Sequence, residues 1–233
     1  MIRTCDLLVR SQTLYPTELR ARNSCQYNAD AFSRLCRRLQ SGSPVRRWHS
    51  YSGGMTSTIT GIEPEQSPAL AAIEQRIGHS NFFRMLAHRP EAMQEVDRLY
   101  NVVMGPGSLD LRLKEMVYIA VSAVNESEYC FSSHSASGTK TGLSSADIDD
   151  LRAETNQNFN EREQAALHYA REMTRNASTE GETRTQLERL FSSQQLVELT
   201  LTVALANFTN RISNGLAIQR EKAESKNTVT MKG

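Results

Sequence analysis

Three side chains of this 233-residue chain have the types and spacing for sulfur chemistry: Glu115, Cys130 and His134. Cys130 and His134 are four residues apart, so a helix sets the imidazole one turn from the thiol. Ser127, three residues before Cys130, would complete an i, i+3, i+7 set on that face. The thiolate is the nucleophile, and a free cysteine at neutral pH is only slightly ionised. A histidine one turn away accepts the thiol proton or stabilises the thiolate. A helix N-terminus favours negative sulfur as well, and Cys130 falls in the first turn or so of its segment. Glu115 sits on an otherwise apolar helix, where a buried acid needs a partner; His134 or Arg211 would serve. Ser127 can hydrogen-bond a thiolate but cannot resolve an oxidised one. Tyr129, beside the cysteine, is expected to line the pocket or an interface. Against these stand plainer readings. A single cysteine on a helix is commonly a small buried hydrophobe, and an isolated histidine is commonly a hydrogen-bonded structural residue.

The elements that must position these residues are helices. Ser67-Pro68 opens one as N-cap and first helical residue, and Gly78 closes it. A short amphipathic piece, NFFRMLAHRP, precedes Pro90. Met93, Val96, Leu99, Tyr100 and Val103 then repeat at helical spacing up to the break at GPGS. Ser108 or Asp110 caps the central helix, whose apolar stripe is Leu113, Met116, Val117, Ala120, Val121 and Val124. Glu115, Tyr118 and Ser122 fall on a neighbouring face. Asn125-Glu126 ends it, and the cysteine helix runs from about Ser127 to Thr141. Its interior Gly138 costs about 1 kcal/mol relative to Ala, which points to close packing there. Further helices cover about 145–154, from Asn160 or Glu161 through Met173, 183–191, and about 194–220 capped by Ser193. The expected fold is all-α, with roughly seven to nine helices, no strand and no long-period repeat.

Composition narrows the function classes. Net charge is +1, which gives no electrostatic case for nucleic acid. No apolar run reaches the roughly 20 residues of a membrane span. No His/Cys/Asp cluster has metal-ligand spacing and no glycine-rich phosphate loop is present, so no metal and no cofactor are expected. His88 and His168 read as surface or packing residues. Asn207 and Arg211, one turn apart, read as structural, or as closing the site or an oligomer contact.

The charge is unevenly spread. Residues 1–54 hold nine Arg, no Lys and three acids, a net +6, and the rest of the chain is −5. Cys5, Cys25 and Cys36 lie in that first part, leaving Cys130 as the sole cysteine from Met55 onward. Residues 1–54 read as an Arg/Ser-rich disordered extension, either a cleavable targeting segment or a mis-assigned start before Met55. Residues 55–66 are a polar lead-in, 67–222 the domain, and 223–233 a disordered tail. One cysteine in the domain fits a reducing compartment. The expected location is the cytoplasm, or the mitochondrion if residues 1–54 are a genuine targeting segment.

Glu115, then Ser127-x-x-Cys130-x-x-x-His134, resembles the alkylhydroperoxidase D/carboxymuconolactone decarboxylase superfamily. Its redox-active members carry a glutamate, then Cys-x-x-Cys-x-x-x-His. The flanks RLKEMVYIAVSAVN and KTGLSSADIDDLR and the segment VELTLTVALANFTNRISNGLAI agree, so the resemblance covers about residues 67–220. It implies an AhpD-like helical bundle, homo-oligomers, and reduction of hydroperoxides, with Cys130 as nucleophile, His134 as general base or relay, and Glu115 acting through His134. The first cysteine of the motif is here Ser127, so no intramolecular Cys-x-x-Cys disulfide forms, and Ser127 becomes a polar pocket wall. The expected activity is therefore a one-cysteine thiol peroxidase, antioxidant in role, acting on a hydroperoxide or other small molecule and reduced by an external thiol. Two alternatives stand. One is an acid–base decarboxylase using Glu115 and His134, as in the superfamily's second branch. The other is a redox-inactive oligomeric binding protein.

Overall fold

The computed structural model describes residues 57–221. The extension of residues 1–54, the start of the lead-in and the tail from 223 lie outside the described residues. Among those described, nine α-helices follow a 3-10 turn at Pro64–Gln66, and there is no strand. In chain order they are α1 (Pro68–Ile77), α2 (Asn81–Leu86), α3 (Pro90–Met104), α4 (Leu111–Val124), α5 (Glu128–Lys140), α6 (Ser145–Ala153), α7 (Glu161–Asn176), α8 (Gly181–Leu190) and α9 (Ser193–Gly215).

Short polar side chains start most of these helices by accepting a backbone N–H that the first turn leaves free. Ser67, Ser80, Asp110, Ser144, Asn160 and Ser192 all cap in this way. Ser144–Asp147, Asn160–Glu163 and Ser192–Gln195 close reciprocal capping boxes. The final helix therefore begins one residue earlier than Ser193 as cap implies. It also stops at Gly215, short of 220, because Ala217 turns to φ 48° and Ile218 N–H returns to Ser213 O at 2.9 Å.

Helix α4 is the axis of the fold. It packs against α5, α6, α7 and α9, and every residue from Leu113 to Ser122 is buried. The expected stripe is thus one side of a helix enclosed on all sides. Such burial requires each polar side chain on it to find a partner, and each does. Lys114 Nζ donates to Val103 O (2.9 Å) and Gly105 O (2.7 Å) and pairs with Glu198. Glu115 pairs with His134, Tyr118 with Thr209, and Ser122 accepts from Asn210 Nδ2 at 3.1 Å.

Candidate active site

Helix α4 ends in a Schellman turn. Ser127 N–H returns to Ser122 O at 2.9 Å and Glu126 N–H to Ala123 O at 3.1 Å, with Glu126 at φ 52°. This turn lays α5 against α4. It also corrects one expectation: Ser127 is the N-cap of α5, at φ −92° and ψ 85°, so only Cys130 and His134 share the helical face. The Ser127 side chain makes no cap. Its Oγ is buried and has no hydrogen-bond partner among the described residues.

Gly138 lets the two helices approach. A Cβ there would stand 2.7 Å from Leu143 Cδ1 and 3.2 Å from Ile119 Cδ1. The close packing brings Glu115 on α4 to His134 on α5, both about 5% exposed. His134 Nδ1–H donates to Glu115 Oε2 at 2.6 Å. That bond sets the tautomer and leaves the Nε2 lone pair free to accept. Tyr100 Oη on α3 approaches Nε2 at 3.4 Å. Burial pushes the Tyr100 phenol well above its usual value, so it stays a donor. Tyr118 stacks on the imidazole, ring centroids 3.4 Å apart and 13° from parallel. Its own hydroxyl bonds Thr209 Oγ1, which already donates to the α9 carbonyls of Leu205 and Ala206 at 3.2 Å. Burial raises Tyr118 as well.

Cys130 is 4% exposed. Its polar partner is Ser213 Oγ on α9, at 3.3 Å; among the described residues no Cys130–His134 hydrogen bond is formed. Sulfur, imidazole and phenol all open on one cavity of about 590 Å³. Phe82, Phe83, Tyr100, Tyr118 and Tyr129 give it aromatic walls, and Arg76, Lys140 and Arg220 also line it. Tyr129 is a wall with a fixed hydroxyl, donating to Glu221 Oε1 at 2.7 Å and accepting from Phe82 N–H at 3.2 Å. A larger cavity of about 670 Å³, lined by Ile62, Pro68, Ala87 and Pro90 among others, holds no ionisable side chain.

The remaining candidates fall elsewhere. Arg211 donates to Asn207 Oδ1 at 2.6 Å, and Asn207 also bonds Asn125 and Thr174, so this pair ties α9 to its neighbours, and among the described residues the partner of Glu115 is His134. His88 meets Thr60 O at 2.8 Å in an exposed position, and His168 is exposed. Among the described residues no group of three or more His, Cys, Asp or Glu is placed to hold a metal ion, and no helix is long and apolar enough to cross a membrane. Tyr100, Thr209 and Ser213 were absent from the sequence-based site. Tyr118 was seen beside Glu115, but nothing in the sequence pairs it with His134.

Residues 90–172 match the carboxymuconolactone decarboxylase family. No curated protein matches the chain. Among solved structures, an uncharacterized peroxidase-related protein from Silicibacter sp. TM1040 is 21% identical, with 70% of this chain and 88% of that one covered at a TM-score of 0.62. A protein of unknown function from Agrobacterium tumefaciens, provisionally called the antioxidant defence protein AhpD, is 25% identical, with coverage of 59% and 96% and a TM-score of 0.56. The debrominase Bmp8, as a cysteine-to-alanine variant holding 2,3,4-tribromopyrrole, is 22% identical, with coverage of 72% and 94% and a TM-score of 0.63. Residues 90–172 thus carry the similarity to the carboxymuconolactone decarboxylase family, and the fold is the AhpD-like all-helical one.

Proposed function

We propose that the protein is a one-cysteine, thiol-dependent hydroperoxide reductase. The observation that carries this reading is a thiol sharing a cavity with an imidazole whose far nitrogen is held by a buried carboxylate. Cys130 gives its proton to His134 Nε2, and the Glu115 carboxylate stabilises the imidazolium through Nδ1–H. The thiolate, accepting from Ser213 Oγ–H, attacks the outer oxygen of the hydroperoxide. The O–O bond breaks, the outer oxygen stays on sulfur with its hydrogen as a sulfenic acid, and the imidazolium returns a proton to the leaving alkoxide. The Tyr100 hydroxyl holds Nε2 between turnovers. Ser127 supplies no second thiol, so the sulfenic acid is reduced by a thiol from outside the motif. Cys130→Ser is expected to abolish consumption of cumene hydroperoxide with dithiothreitol as reductant. An unchanged rate, or an inert parent protein, removes the reading. Release of bromide from 2,3,4-tribromopyrrole tests the same thiol on the molecule that Bmp8 holds.

The hydrogen bonds favour one second reading. Cys130 is bonded to Ser213 and not to His134, so Glu115, His134 and Tyr100 form an acid–base chain complete without sulfur. That arrangement suits proton transfer on a lactone acid. Turnover of such a substrate surviving Cys130→Ala would establish it over the peroxidase.

A further inference from the structure

We infer that the thiol that reduces Cys130 is a small carboxylate-bearing one admitted to the same cavity, and not a cysteine on the surface of a partner protein. The inference gives the proposed peroxidase its reductant and rests on that reading for its place in a catalytic cycle.

Access comes first. Disulfide formation brings the attacking sulfur onto Sγ itself, and Cys130 is 4% exposed, reached from a cavity of about 590 Å³. A molecule the size of a tripeptide fits that space, while the face of a folded protein does not follow a thiol into it. Charge comes second. Lys140 and Arg220 are exposed, line the cavity, and have no ion-pair partner among the described residues. The other charged groups lining it are engaged: Arg76 with Asp97 and Asn101, and Glu221 with Tyr129 and Asn81 N–H. The interior is thus aromatic around the sulfur, and two uncommitted cations remain for carboxylates on the incoming thiol.

The chemistry balances with two thiols per hydroperoxide. The first attacks sulfenic Cys130, the S–S bond forms, and the hydroxyl leaves as water with the proton of the incoming thiol. The second attacks the sulfur of the first. It releases the small-molecule disulfide and restores the Cys130 thiol with its own proton. Two thiols are oxidised and one hydroperoxide is reduced to the alcohol.

The test uses the full-length chain carrying Cys5→Ser, Cys25→Ser and Cys36→Ser, so that only Cys130 reports. Cys130 is converted to its thiopyridyl mixed disulfide, and thiopyridone release is followed with glutathione, cysteamine or reduced thioredoxin. This step needs no peroxide, so it stands apart from the peroxidase reading. Glutathione, which is anionic, is expected to react faster than cationic cysteamine and to slow as salt is raised. Lys140→Glu with Arg220→Glu is expected to slow glutathione about tenfold and to leave cysteamine unslowed. Equal glutathione rates in parent and variant, or thioredoxin outpacing glutathione, overturn the inference. In the unsubstituted chain a hydroperoxide pulse is expected to add one oxygen atom to the intact mass and then, with glutathione, one glutathione. A disulfide joining Cys130 to Cys5, Cys25 or Cys36 overturns the external thiol. A Cys130 that glutathione reduces selectively but peroxide never oxidises sinks the peroxidase reading alone.

Discussion

The bond from His134 to Glu115 is short, charged on one side and shielded from water, the setting in which a hydrogen bond is worth most. In the proposed mechanism Glu115 acts through His134, so its loss is expected to appear in turnover and not in binding. Glu115→Gln keeps the shape and removes the charge. It is expected to lower kcat for hydroperoxide about 10²-fold with KM unchanged, as measured by steady-state kinetics. The dyad was legible because both residue types stand out in sequence and a buried acid demands a partner. Its surroundings were not. Tyr100 reads as one more apolar position of α3, and Ser213 lies 83 residues from Cys130. A single sequence shows which face of a helix is apolar, but not which residue on another helix that face will meet.

Capping chemistry made the helix starts readable, since Ser, Asp and Asn act within their own turn. Ends set by tertiary packing were less so, as α9 shows by stopping at Gly215. Gly138 is the case where a local cost predicted a contact. Replacing it with Ala gains helix propensity but drives a methyl into buried Leu143 and Ile119. Gly138→Ala is expected to destabilise by about 1–2 kcal/mol, a fall of several degrees in the thermal midpoint. At the other end of α4, Glu198 closes the loop after α3. It accepts from Ser108 N–H at 2.6 Å and Leu109 N–H at 3.2 Å while paired with Lys114. Burial alone would raise its carboxyl. The Lys114 and Ser108 hydrogen bonds outweigh that and hold it at about 2, against 4.5 unperturbed. A depressed carboxyl stabilises the fold above its unfolded value, and that stability is lost as pH falls towards the folded one. The contribution is on the order of 2–3 kcal/mol. The stability gap between parent and Glu198→Gln, from urea unfolding, is expected to be full above about pH 5 and to shrink steadily down to about pH 2.

At the scale of the molecule, α9 leaves Val197, Leu201 and Phe208 between 45% and 60% exposed at i, i+4 and i+11, one helical face. On α3, Leu99 and Val102 are exposed at i and i+3. Apolar faces of this kind are used for association, and we propose that α9 packs against a second copy of the chain. Light scattering on the full-length protein is expected to give an oligomer, and Leu201→Asp with Phe208→Asp a smaller species. The last described residues have a different importance. After Ala217 turns the chain, Ile218 is buried and Glu221 fastens to Tyr129 and to Asn81 N–H, making one side of the cavity. None of Glu115, Cys130 or His134 lies on that segment, yet it borders the cavity on which Cys130 and His134 open. One side of the pocket is therefore held by a strap and not by a helix. A purification tag, a truncation or a proteolytic nick just beyond α9 would alter what reaches the sulfur while circular dichroism reported an intact protein.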